Sequence, residues 1–157
     1  MMKKKHFTIF MVFGILYVFI EVAYKAVLSM KGSLMGSSSL WMMLLGGMLG
    51  VVLGSINEKN SALGELPYIL QVIFGALLVT AMEFLSGCIL NRWLGFGIWD
   101  YSHLPFNLLG QINIVHSSYW LLMTPTAFWL DDVIRHYVYK KEKPGPFVKY
   151  YTRVIRF

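Results

Sequence analysis

Cysteine occurs once in the 157 residues. Cys88 lies inside an apolar run, and a lone thiol excludes both a disulfide framework and a thiolate metal cluster within one chain. Charge is scarce as well: Asp, Glu, Lys and Arg make up 14% of the chain against 57% hydrophobic residues, and the mean hydropathy is +0.58. A soluble domain built this way would lack the polar surface to cover its outside, and a disordered chain would be far less apolar. The chain has no Walker A phosphate loop, which excludes nucleotide binding of that kind, and none of the patterns GxSxG, HExxH or CxxC. No internal repeat or low-complexity stretch is present. No catalytic residue and no metal ligand is assigned on these grounds, and no cofactor can be named.

What is present suits lipid. Aromatic residues reach 16%, with 10 Met and 14 Gly, a mixture expected of helices packed closely in a membrane. The net charge of +6 sits at the ends of the chain, in Lys3, Lys4 and Lys5 and in Arg135, Lys140, Lys141, Lys143, Lys149, Arg153 and Arg156. Such cations are membrane flanks and not the basic folded face that a nucleic acid would need. Four apolar stretches, about 7–28, 38–56, 67–90 and 112–130, are each roughly 19 to 24 residues long, enough to cross about 30 Å of hydrocarbon as helix. The expected fold is therefore all-α, an integral membrane four-helix bundle with a structured outer loop between spans 3 and 4. Residues 1–132 make the membrane domain and residues 133–157 a basic, aromatic cytoplasmic tail. The first stretch carries Glu21 and Lys25 and lacks a clear cleavage site, so it reads as a retained anchor. The excess of Lys and Arg, with Lys59 in the second loop, puts both termini in the cytoplasm and leaves Lys31 and Arg92 outside. The tail is expected along the anionic inner leaflet.

Helical spacing shows which faces look inward. Gly14, Tyr17, Glu21 and Tyr24 with Lys25 share a stripe on the first span; Gly46, Gly50 and Gly54 form a glycine face on the second. Ala76, Thr80, Glu83 and Gly87 line up on the third, and Asn113, His116 or Ser117, Trp120 and Thr124 on the fourth. Lipid cannot hydrogen-bond these groups, so the stripes should turn toward one another. Pro125 is expected to kink the fourth span. At about 1.5 Å per residue, Glu21 and Glu83 fall roughly 21 and 24 Å from the inner boundary, with His116 at a similar level and Arg92, Asp100, His103 and Asn107 above them. One polar cluster near the outer leaflet is expected. Ionisable groups inside a span are costly, which makes each a candidate site. The plainer readings stay open: Glu21 and Lys25 neutralising each other, Glu83 and His116 fixing helix packing, and Asp100, Ser102 and Asn107 serving as turn and cap formers around Pro105.

The stretch from Glu83 through Trp99-Asp100-Tyr101-Ser102 to Ile112, with Gly87, Pro105, Phe106, Asn107 and Gly110 in fixed order and Trp120 beyond, resembles the signature of a family of bacterial integral membrane proteins, the putative ABC-transporter type IV (CmpB-like) permeases. Glu21, Gly32, Leu34, Gly36 and Trp41 extend the resemblance, which breaks after Trp41, where the sequence reads MMLLGGMLG. The resemblance implies a multi-pass protein of the bacterial cytoplasmic membrane that is associated with transport. Having no nucleotide site, it would need a separate ATPase subunit or further copies of itself, with lipid around it and no nucleic acid. The substrate-binding set would be Glu83, Glu21, Asp100, Tyr101, Ser102, Asn107, Arg92, His103 and His116. Two other readings stand beside it: a membrane-embedded enzyme or lipid-handling protein using Glu83 as acid or base, and a structural or regulatory scaffold.

Overall fold

The computed structural model describes residues 2–28, 38–58 and 61–155. Lys31, Gly32, Leu34, Gly36, Lys59, Arg156 and Phe157 lie outside the described residues, as does the side chain of Lys3. The chain is mostly helical: α1 (Met2–Leu28), α2 (Leu40–Ile56), α3 (Tyr68–Gly87), α4 (Ile114–Tyr139) and α5 (Phe147–Ile155). A short antiparallel hairpin, β1 (Asn107–Leu108) and β2 (Ile112–Asn113), joins α3 to α4 in the register Asn107 to Asn113 and Leu108 to Ile112. Two helical stretches, Lys4–Val27 and Tyr68–Trp93, are long and apolar enough to cross a membrane. Against the expectation of four, α2 is apolar but only 17 residues long, about 26 Å of helix. The 26-residue α4 is long enough, but its ends are polar, with His116, Ser117 and Ser118 at one and Asp131, Asp132 and Arg135 at the other.

By packing, the chain divides into two compact units, Met1–Val52 and Leu53–Phe157. The division falls inside α2. The helix α4 passes residue 132 on its way to Tyr139.

In the first unit the glycine face of α2 receives the aromatic side chains of α1. A Cβ on Gly50 or Gly46 would overlap the side chains of Phe13 and Tyr17, and one on Gly47 would stand 2.7 Å from the Phe10 ring. In return Gly14 of α1 lies against the backbone of Met43, its ideal Cβ 2.6 Å from that carbonyl oxygen. Lipid tails are as apolar as the side chains they would replace, so helix association in lipid depends on close approach of this kind. Glu21 pairs with Lys25 Nζ at 2.6 Å and accepts a hydrogen bond from Ser38 Oγ. Tyr24 does not join the inward stripe; it is half exposed.

The second unit is built on α3 and α4. Along α3 the buried residues are Gln71, Val72, Gly75, Ala76, Val79, Glu83 and Gly87, while Leu70, Ile73, Phe74, Leu77, Leu78 and Leu85 are exposed. Both sets recur at three- and four-residue steps, and the outer one is the more apolar, the reverse of a helix on a water-soluble domain. Gly75 admits Thr124 of α4 and Leu53, whose atoms would lie 2.8 and 3.1 Å from a Cβ there. The core between the helices holds Phe128, Val72, Val79 and Pro125. Pro125 sits within an unbroken α4.

Lys140 ends α4 in the left-handed conformation, φ 56°, and the chain turns back through Pro144 and Pro146 into α5. The return is held by tyrosines. Tyr150 is buried and donates to Asp132 Oδ2 at 2.5 Å; burial and that neighbouring carboxylate push its phenol above the usual range. Tyr151 bonds Thr126 and donates to the Leu122 carbonyl at 3.0 Å, and Arg153 lies 4.2 Å over the ring of Tyr68.

Candidate functional site

Glu83 is the polar centre of the second unit, 6% exposed on the buried face of α3. Trp120 donates its indole N–H to Glu83 Oε2 at 3.1 Å, and the Tyr101 hydroxyl reaches Oε1 at 3.5 Å. Both are neutral donors. Among the described residues no Lys or Arg is paired with this carboxyl group.

The Asp100–Asn107 loop holds Tyr101 over Glu83, and its conformation follows from its own sequence. Asp100 accepts the Ser102 backbone N–H through Oδ1 and the Ser102 hydroxyl through Oδ2, each at 2.8 Å, which holds the Asp100 carboxyl below its ordinary range. Asn107 donates to Leu104 O at 2.7 Å and accepts from Gly110 N at 2.9 Å. Gly110 has φ +70° and a Cβ there would meet Asp100 Oδ1 at 2.8 Å, so only glycine fits. Tyr101 N then donates to Gly110 O at 2.8 Å.

Asn113 fixes the start of α4. Its Oδ1 accepts from Val115 N at 3.0 Å and its Nδ2 donates to Pro105 O at 2.5 Å. Asn113 Oδ1 also faces His116 Nδ1 at 3.3 Å. A carbonyl oxygen only accepts, so this contact is a hydrogen bond in the tautomer that carries its proton on Nδ1. The His116 ring stacks on Tyr101 with centroids 4.7 Å apart and planes 28° from parallel.

At the end of α3 the helix widens into a π-helical turn, Cys88–Trp93. Gly87 lies against Gln111, and Gln111 Oε1 accepts from Asn91 at 2.8 Å while its backbone oxygen takes the Trp99 indole N–H at 3.0 Å. The turn thus ties the outgoing loop to β2. The hairpin beyond it carries Asn113 into the cap of α4.

Of the residues expected to form one cluster, the fold brings together Glu83, Tyr101 and His116. Asp100, Ser102 and Asn107 spend their bonding capacity on the loop that positions Tyr101. Arg92 and His103 are exposed, with Arg92 donating to Leu109 O at 3.4 Å, and Glu21 belongs to the first unit. Sequence reasoning left Gln111 out of the site, placed Asn113 on a helix face and Trp120 on that face and in the family resemblance, and missed a second polar centre at the other end of α4. There the Arg135 guanidinium meets Asp131 at 2.5 Å, Glu58 at 2.7 Å and the Gly54 carbonyl at 2.7 Å, with Asp131 fully buried. The four-residue spacing of Asp131 and Arg135 is its one signal in the sequence. Among the described residues no three His, Cys, Asp or Glu side chains gather as metal ligands.

Glu83 can therefore hold a proton or accept a cationic or hydrogen-bond-donating group. No curated protein and no solved structure matches the chain. A family model matches residues 6–154, nearly the whole sequence. The chain therefore belongs to the family described as "Putative ABC-transporter type IV".

Proposed function

We propose that this chain is the membrane-embedded, permease-like subunit of a transport system of the bacterial cytoplasmic membrane. Four helices span the bilayer with both termini inside, and Glu83 is the carboxyl group that meets the cargo near the outer leaflet. The observation that carries the reading is Glu83 itself: an acid buried on a helix whose other face is hydrocarbon-like, with an indole and a phenol as its side-chain donors among the described residues. Placing an ionisable side chain in a span costs about 2.5 to 3.5 kcal/mol. A packing contact alone would not require it, because Gln would accept from Trp120 equally well. His116 and Tyr101 line the approach, and the exposed Arg92 and His103 stand on the loop a ligand would pass. Glu21, with Lys25 and Ser38, is the separate candidate of the first unit.

The polar ends of α4 suit headgroups at either side of a span, and the glycine-to-aromatic packing of α1 and α2 suits a second spanning pair. With no nucleotide site of its own, the subunit draws its energy from a separate ATPase subunit or acts as a homo-oligomer. Native mass spectrometry of the full chain, extracted from its own membrane into lipid nanodiscs, tests this beside Glu83→Gln. The expected result is an ATPase-bearing partner in fixed ratio, retained by both forms. A chain that carries only a stoichiometric lipid or metabolite, lost in Glu83→Gln, supports the enzyme or lipid-handling reading instead. Identical composition in both, with no partner, leaves the scaffold.

A further inference from the structure

Residues 140–155 carry Lys140, Lys141, Lys143, Lys149 and Arg153 against a single acid, Glu142, and the four lysines are exposed. In α5 the charges share a short helix with an apolar flank: Val148 and Ile155, two turns apart, are 66% and 76% exposed. A third side faces α4, where Phe147 meets Trp129 edge-on at 5.1 Å, with Tyr151 of the same short helix 5.2 Å from the Phe147 ring. The helix is thus anchored by its tyrosines, with apolar side chains and cations both left outside. We propose that residues 140–155 form a docking surface for the anionic lipid headgroups of the cytoplasmic leaflet. In it, Val148 and Ile155 enter the acyl boundary and the lysines engage the headgroups. The inference rests on the four-span reading with the C-terminus inside. Charge complementarity selects the occupant: an excess of cations beside exposed aliphatic side chains on one short helix matches the boundary between headgroup and acyl chain. An acidic protein surface would leave the aliphatic flank in water.

The test is hydrogen exchange of the backbone amides of α5 in the full chain, reconstituted in nanodiscs of phosphatidylcholine alone or mixed with phosphatidylglycerol. Phosphatidylglycerol is expected to slow exchange by about tenfold or more. High salt should abolish the difference in the unmodified chain, as should joint substitution of Lys140, Lys141, Lys143 and Lys149 by Gln. Equal exchange in the two lipids, or a difference indifferent to salt, overturns the proposal. Failure of the topology has a separate signature. In a Cys88→Ser, Val148→Cys chain in intact cells, an impermeant maleimide added outside should not react. Labelling from outside would overturn the four-span orientation and this surface with it.

Discussion

Removing the indole donor of Trp120 isolates the bond on which Glu83 most depends. In bilayers, interhelical hydrogen bonds measured by double-mutant cycles average about 0.6 kcal/mol and reach about 1.7. The Trp120 bond is 3.1 Å long, ends on a carboxyl group and is shielded from water, which places it in the upper part of that range. The Tyr101 bond, at 3.5 Å, is at the edge of bonding distance and belongs at or below the average. A cycle of Trp120→Phe, Glu83→Leu and the double variant should then give a coupling of about 1 to 1.7 kcal/mol, and the same cycle with Tyr101→Phe about 0.5 or less. The cycle cancels the ring volume lost with Trp120, and Phe at 101 keeps the stack on His116. Unfolding in mixed micelles, titrated with a denaturing detergent and followed by far-UV circular dichroism, reads these values. A Trp120 coupling no larger than that of Tyr101 would refute the assignment of Trp120 as the principal partner.

Arg135→Gln should destabilise the second unit by about 3 kcal/mol or more, since it strands Asp131 in the core, whereas joint replacement of Asp131 and Arg135 by Leu and Met should recover most of the loss; the same detergent titration measures both. Gly50→Leu should loosen α1 from α2, because its Cβ alone overlaps Phe13; a disulfide introduced between the two helices would form in the parent and fail in the variant. The Asp100 carboxyl is held low by its Ser102 bonds, so its contribution to loop order is complete above the ordinary Asp range and is lost as pH falls through the lowered value. Exchange at residues 99–110, taken relative to the intrinsic rate of each amide at the same pH, should therefore stay flat through neutral and mildly acidic pH and rise only in strong acid. Asp100→Asn should remove that acid-dependent rise.

How much of this could be read from the sequence depended on distance along the chain. The buried face of α3 was legible, because Ala76, Glu83 and Gly87 follow the helical period and nothing else in the fold had to be known. The Asp100–Ser102 turn was legible for the same reason, its bonds spanning two residues. The glycine face of α2 announced its close contacts through Gly46 and Gly50, but not that Phe13 and Tyr17 would fill them. The partners of Glu83 were less accessible, since Tyr101 and Trp120 stand 18 and 37 positions away and no period links a loop to a helix. The charge centre around Arg135 needed Gly54 and Glu58 brought against it from across more than 75 residues. The return of α5 rests on tyrosine hydroxyls finding Asp132 and Thr126, where sequence showed only a basic aromatic tail.

Proline at 125 has a mechanical consequence for α4. A proline inside a helix removes one rung of the ladder and crowds the carbonyl four residues before it, so the segment around residues 121–126 is the point at which α4 bends most easily. Tyr151 grips that segment from outside, through Thr126 and the Leu122 carbonyl, as a splint grips a weakened shaft. Trp120 lies just beyond the splinted stretch, one turn from Thr124, whose hydroxyl bonds the Trp120 carbonyl at 2.7 Å. The stiffness of the rod that carries the indole to Glu83 is therefore set in part from the far end of the chain, by a nine-residue helix.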